Sequence, residues 1–301
     1  MDVFAAELGF FGIIKESFKI LSSEKNVFTN ISLALLLPVA VIVQIVVVLS
    51  PLLSAEPSSP IRNALIAIVC VVGAIGSILL LLLSAAAVVT TAAQIYFKAP
   101  LSFIPIITFA ATILKKLVVT FLWCLFLAFI FNLVAIALML LVTVLLAGNT
   151  AGLIIVIVLG IVYIVGSVYL TVVFDVAKIV TVLEDEYGRS AISRSKNLVR
   201  GKEITAAFLV LVVAVVIAAV QAGLSAAEAA ASGNLLVMIL AGVGSCLVIT
   251  VGCLVLQVFE TVLYFVCKFR VNESVDVAAM AALLGTRFGQ YAALKAEGLD
   301  V

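Results

Sequence analysis

For 58 consecutive residues, from Leu117 to Phe174, this chain carries no charged side chain. A backbone surrounded by that much apolar side chain has few options. Hydrocarbon offers no hydrogen-bond partners, so a crossing segment must satisfy its own N–H and C=O groups, and a helix does so within itself. About 20 apolar residues cross a hydrocarbon core about 30 Å thick, at about 1.5 Å of rise per residue. The uncharged run is long enough for two crossings, and Gly148, Asn149, Thr150 and Gly152 supply the turn residues that divide it.

The other gaps between charges extend the pattern. Thirty uncharged residues separate Lys25 from Glu56, 35 separate Arg62 from Lys98, 24 separate Glu203 from Glu228, and 31 separate Glu228 from Glu260. The spacing predicts six spans, near 28–53, 63–95, 117–147, 152–181, 204–231 and 235–267. Pro38 lies inside the first and is expected to kink it. The stretch 99–114 is short and holds Pro100 and Pro105, so it is expected to lie on the surface or to re-enter without crossing. Composition agrees, with 66% hydrophobic and 11% charged residues against about 25% charged in ordinary soluble domains. A soluble enzyme, a secreted disulfide scaffold and a disordered chain are excluded. The expected fold class is all-α: a polytopic transmembrane helical bundle forming a single integral membrane domain over 1–301.

Lysine and arginine resist translocation and collect on the cytosolic side. Sixteen of the 17 basic residues fall on one side of the six-span layout, and Arg62 alone falls on the other. Both termini are therefore expected in the cytosol, with a cytosolic amphipathic arm at 1–27, a basic cytosolic connection at 182–203 and a cytosolic tail at 268–301. The first 25 residues hold seven charges and no apolar signal core, so the first span is expected to act as an uncleaved anchor. The sequons at Asn30 and Asn272 fall in a span and in the tail, where neither should carry glycan.

In the arm, Phe4, Leu8, Phe11, Ile14, Phe18 and Leu21 follow steps of three and four, the spacing of one helix face. Such a helix lies at the membrane interface or packs under the bundle. In the connection, Glu184, Asp185 and Glu186 read as a solvated charge run rather than a metal site. A short helix follows Gly188 and ends at Gly201, with Ala191, Ile192, Ser195, Leu198 and Val199 on one stripe. Arg189, Arg194, Lys196, Arg200 and Lys202 make this helix basic, suited to anionic headgroups or a protein partner.

Asp175, Lys178 and Glu260 are ionisable residues inside predicted spans. Asp175 and Lys178 are three apart and share a helix face. Asp175 lies nine positions before Glu184, and Glu260 eight before Lys268. All three are thus expected at similar depth, in an interior polar cluster joined by Gln257. Such a cluster serves either as an ion pair locking two spans together or as a relay for a proton, ion or polar substrate. Asn132, Gln94 and Gln221 are expected to bridge helices. Histidine is absent and no CxxC pair occurs among the five cysteines, so no metal or other cofactor is expected, and no nucleic-acid module is visible. Cys267, beside Lys268, is a weak S-palmitoylation candidate.

The pattern Glu186, Gly188, Ala191-Ile192, Arg194-Ser195, Leu198 and Arg200-Gly201, leading into a long apolar span, resembles the cytosolic segment of a broad set of six-span proteins. Among them are the membrane domain attached to some bacterial glycerophosphodiester phosphodiesterases and the YciC-like inner-membrane proteins. The opening MDVFAAELGFFGIIKESFKIL and the overall layout resemble a family of uncharacterised plant multi-pass membrane proteins. The resemblance implies a six-helix membrane bundle without catalytic assignment. It transfers no catalytic residue, because the phosphodiesterase chemistry resides in a separate soluble domain.

The expected function is that of a non-enzymatic membrane organising, trafficking or adaptor protein of the plasma membrane or an endomembrane. Its partners would be the bilayer, including anionic lipids, and proteins met through the cytosolic helices. The alternative is a transporter or channel for a small polar or ionic substrate, using the Asp175, Lys178 and Glu260 cluster. No repeat of the two halves supports that alternative.

Overall fold

The computed structural model describes residues 9–54, 60–97, 103–146, 150–184, 186–230 and 235–270. Phe4, Leu8, Asp185 and all of the tail beyond Arg270 lie outside the described residues.

The described residues are all-helical: α1 (Phe10–Ser23), α2 (Lys25–Ile31), α3 (Leu37–Ser54), α4 (Pro60–Phe97), α5 (Phe103–Leu145), α6 (Thr150–Leu183), α7 (Arg189–Val199), α8 (Glu203–Ala230) and α9 (Leu235–Arg270). Six helical stretches are long and apolar enough to cross a membrane: Lys25–Val47, Asn63–Ile95, Phe103–Leu145, Gly152–Leu183, Glu203–Ala227 and Ile239–Arg270.

Pro38 does not end or break the first of these. A π-helical turn, Ser32–Leu36, joins α2 to α3, and the N–H of Leu37 bonds back to Ser32 O. Proline lacks an N–H and its ring would strike the carbonyl four residues back. One widened turn just before it absorbs both effects.

Within the segment 99–114 the described residues begin at Phe103, and Pro100 lies outside them. From Phe103 onward it is the opening of α5, continuous with the long helix that follows. Pro105 is tolerated because it sits in the first turn, where backbone N–H groups have no intrahelical acceptor.

Packing is uneven along the bundle. At the end where α6 and α9 finish, hereafter the basic end, Ala86, Val88 and Ala93 of α4, Ile106, Phe109 and Leu117 of α5, Val176, Ile179 and Val180 of α6, and Val262, Leu263 and Tyr264 of α9 are buried together. Toward the other end the same helices turn their apolar side chains outward, as with Phe129, Leu133 and Leu140 on α5 and Ile154, Ile161 and Ile164 on α6. There α5 and α6 are held by the hydrogen bond from Tyr163 Oη to Asn132 Oδ1, 2.8 Å, and by stacking of Phe131 on Tyr163.

Helix α1 lies against α9 and α8, with Phe18 edge-on to Phe259 and Phe10 edge-on to Phe208. Its buried side chains are Ile13, Ser17 and Ile20. Of the expected apolar stripe, Phe11 is 82% exposed and Phe18 52%, while Ile14 and Leu21 are half-buried. Burying Ser17 is inexpensive because its hydroxyl bonds to Ile13 O at 2.8 Å.

Candidate functional site

The basic end is assembled around two charged groups. The first is the expected interior cluster. Lys178 Nζ lies 2.6 Å from Asp175 Oδ1, one turn away on α6, and 3.7 Å from Glu260 Oε2 on α9. The Asp175 and Glu260 side chains are 13% and 6% exposed, so the lysine ties α6 to α9 in a largely enclosed position. Gln257 does not join it. Gln257 Nε2 donates to Ser84 Oγ of α4 at 2.9 Å, while Gln257 Oε1 is buried with no hydrogen-bond partner among the described residues.

The second group centres on Glu184, just past the end of α6. Its Oε1 accepts from Lys268 Nζ and from Tyr264 Oη, both at 2.6 Å, and its Oε2 accepts from Arg194 Nε at 3.0 Å. Burial alone pushes the Glu184 carboxyl up, but the hydrogen bonds from Lys268, Tyr264 and Arg194 outweigh it and hold it below the usual carboxylate range. Charge-assisted bonds of this kind are about twice as strong as neutral ones. Glu184 is thus a junction of α6, α7 and α9, and its reading as part of a solvated charge run is corrected. Glu186 bonds to Ser190 Oγ at 2.6 Å.

Gly188 begins α7 with φ +65° and ψ −131°, a conformation open to glycine and strained for any other residue. Its N–H donates to Thr120 Oγ1 at 2.8 Å, which lies 2.9 Å from Thr181 Oγ1. A Cβ at Gly188 would stand 3.2 Å from the indole of Trp123. Further along α7, the fully buried Ser195 hydroxyl bonds to Val173 O at 2.9 Å. At the other end of α7, Gly201 has φ +89° and the guanidinium of Arg270 fills the space where a Cβ would go.

The expected apolar stripe of α7 is therefore its packed face: Ala191, Ser195, Leu198 and Val199 are buried. Arg189, Lys196 and Arg200 point outward, Lys202 is half-buried, and Arg194 turns in to Glu184. Cys267 is fully buried, which removes the access that S-acylation needs. Of the expected bridging residues, Asn132 joins α5 to α6, as described. Gln221 on α8 exchanges bonds with Ser245 on α9, and Ser245 reaches Gln44 on α3 at 3.3 Å. Gln94 Oε1 is buried without a partner among the described residues. Among those residues, no three His, Cys, Asp or Glu side chains are grouped to hold a metal ion.

The family comparison bears on the whole chain. A model described as a domain of unknown function (DUF8558) matches residues 5–64 and 61–301. The chain belongs to the DUF8558 family. No curated protein and no solved structure matches it, and nothing links it to glycerophosphodiester phosphodiesterases or to YciC-like proteins.

Proposed function

We propose that this DUF8558 protein is a six-span integral membrane protein with both termini in the cytosol, acting without catalysis as a membrane organising, trafficking or adaptor protein. One observation carries the reading: the interior charges are used up in holding helices together, whereas α7 is fixed on the bundle with Arg189, Lys196 and Arg200 outward. A helix pinned by Ser195, Gly188 and Glu184 presents its basic face in a constant geometry, which suits recognition. The sixteen-to-one distribution of lysine and arginine supports the sidedness. The test is affinity purification of the full chain, comparing wild type with R189Q/K196Q/R200Q. Cytosolic partners or anionic lipids that co-purify with wild type and are lost from the variant support the reading, and identical sets contradict it.

A transporter is the second reading. It is favoured by two carboxylates facing one lysine, with the unpartnered Gln257 Oε1 one turn from Glu260. Substrate uptake into proteoliposomes that is abolished by Glu260→Gln supports it.

A further inference from the structure

Contacts between helices place two amphipathic segments at one height on the bundle. Glu260 of α9 meets Lys178 of α6, so these residues mark one level. Phe18 of α1 packs on Phe259, the neighbour of Glu260, and Phe10 packs on Phe208 of α8. On another flank, Gly188 meets Thr120 beside Thr181, and Ser195 meets Val173. Helix α7 therefore runs back along α6 for about 10 Å instead of projecting beyond it, and its span of heights brackets Lys178.

The exposed apolar surface of α6 ends about 10 Å short of that level. From Leu153 to Val165 its large side chains face outward, while Val172, Val173, Val176 and Ile179 are enclosed. Gly152 to Thr171 is about 20 residues, or about 30 Å, the thickness of a hydrocarbon core. The side chains that face outward at its inner boundary are of two kinds. Aromatic ones are Phe11 and Phe18 on α1, Trp123 on α5 and Tyr187 before α7. Basic ones are Lys15 and Lys19 on α1 and Arg189, Lys196 and Arg200 on α7. Among the described acidic residues nearby, Glu16 pairs with Lys19, Glu184 with Arg194 and Lys268, and Glu186 accepts from Ser190. Aromatic rings and cations at one height are the side-chain set of the headgroup zone.

Resting on the six-span reading above, we propose that α1 and α7 form a collar at the inner membrane boundary, and that Arg189, Lys196 and Arg200 bind the headgroups of anionic phospholipids in that leaflet. The Asp175, Lys178 and Glu260 cluster then sits about 6–10 Å to the cytosolic side of the hydrocarbon edge, level with the headgroups. The compact half of the bundle emerges on the cytosolic side.

The experiment uses the full chain in lipid nanodiscs. Spin-labelled phosphatidylserine and phosphatidylcholine report which lipid is held against the protein. Wild type is expected to favour phosphatidylserine severalfold, R189Q/K196Q/R200Q to lose that preference, and R189K/R200K to keep it. No preference in wild type, or a preference retained by the glutamine variant, overturns the proposal. Displacement of bound phosphatidylserine by soluble glycerophosphate, with equal effect on every variant, also overturns it, because the site would then read a free phosphate. Trp123 is the chain's single tryptophan and checks the placement independently. Lipids brominated near the headgroup are expected to quench it more than lipids brominated deep in the chain, and the reverse order overturns the collar. Shallow quenching without lipid preference removes the headgroup proposal and leaves the six-span reading standing. Absence of quenching at every depth removes both.

Discussion

Lys268 Nζ and Glu184 Oε1 meet at 2.6 Å although 84 positions separate them in the chain. Through Tyr264 and Arg194 the same carboxylate gathers α9 and α7 onto the end of α6. This junction and the Lys178 cluster one level above it explain why the bundle is compact at one end and open at the other.

Glu184→Gln is expected to lower stability by about 3 kcal/mol, since it leaves Lys268 and Arg194 near a neutral amide in a partly enclosed site. The folded carboxyl titrates below its ordinary value of 4.5. Its contribution is therefore present above pH 4.5 and is lost as pH falls through the folded value. Thermal unfolding of the purified protein from pH 7 to pH 3 should show a steeper loss of Tm below pH 4.5 in wild type than in Glu184→Gln.

At the cluster, Glu260→Lys places a second cation beside Lys178 with only Asp175 to balance both, while Glu260→Gln keeps the shape and a hydrogen-bonding group. The lysine variant is expected to lose most of its monodisperse fraction on size-exclusion chromatography, and the glutamine variant less than half. Equal behaviour of the two would remove the pairing argument.

Gly188→Ala adds a Cβ to a backbone at φ +65° and ψ −131° and directs it at Trp123. The cost expected from strain of this kind is about 1–3 kcal/mol. Trp123 provides its own readout: its emission and near-UV circular dichroism should change in Gly188→Ala and remain as in wild type in Gly76→Ala, where a Cβ meets nothing within 4 Å.

Cys267 is fully buried whereas Cys70 is not. Acyl-exchange labelling of the protein from cells should therefore give the same signal for wild type and Cys267→Ser. A signal that disappears in the variant would show that the thiol is reached.

What the sequence disclosed and what it hid follow from the range of the interactions. The long helices were legible because each is an unbroken apolar run bounded by charges, a property of neighbours in sequence. The Asp175, Lys178 and Glu260 cluster was legible because three-residue spacing and equal distance from marker charges fix both face and depth. Glu184 was not, since three acidic residues in a row look solvated and its partners Tyr264 and Lys268 come from another helix. The spacing of α1 left its orientation open: Phe11 and Phe18 repeat at helical spacing as well as the buried Ile13 and Ile20 do, and Ser17 disguised the buried stripe. The opening of α5 was hidden by Pro105, which forbids a helix interior but not a first turn.

Sidedness is the central claim, and the direct measurement is the accessibility of both chain ends in sealed vesicles of known orientation. Tags at the two termini should be cleaved together, without detergent, only when the cytosolic face is outward. Cleavage of one terminus while the other stays protected would mean an odd number of crossings and would contradict the account.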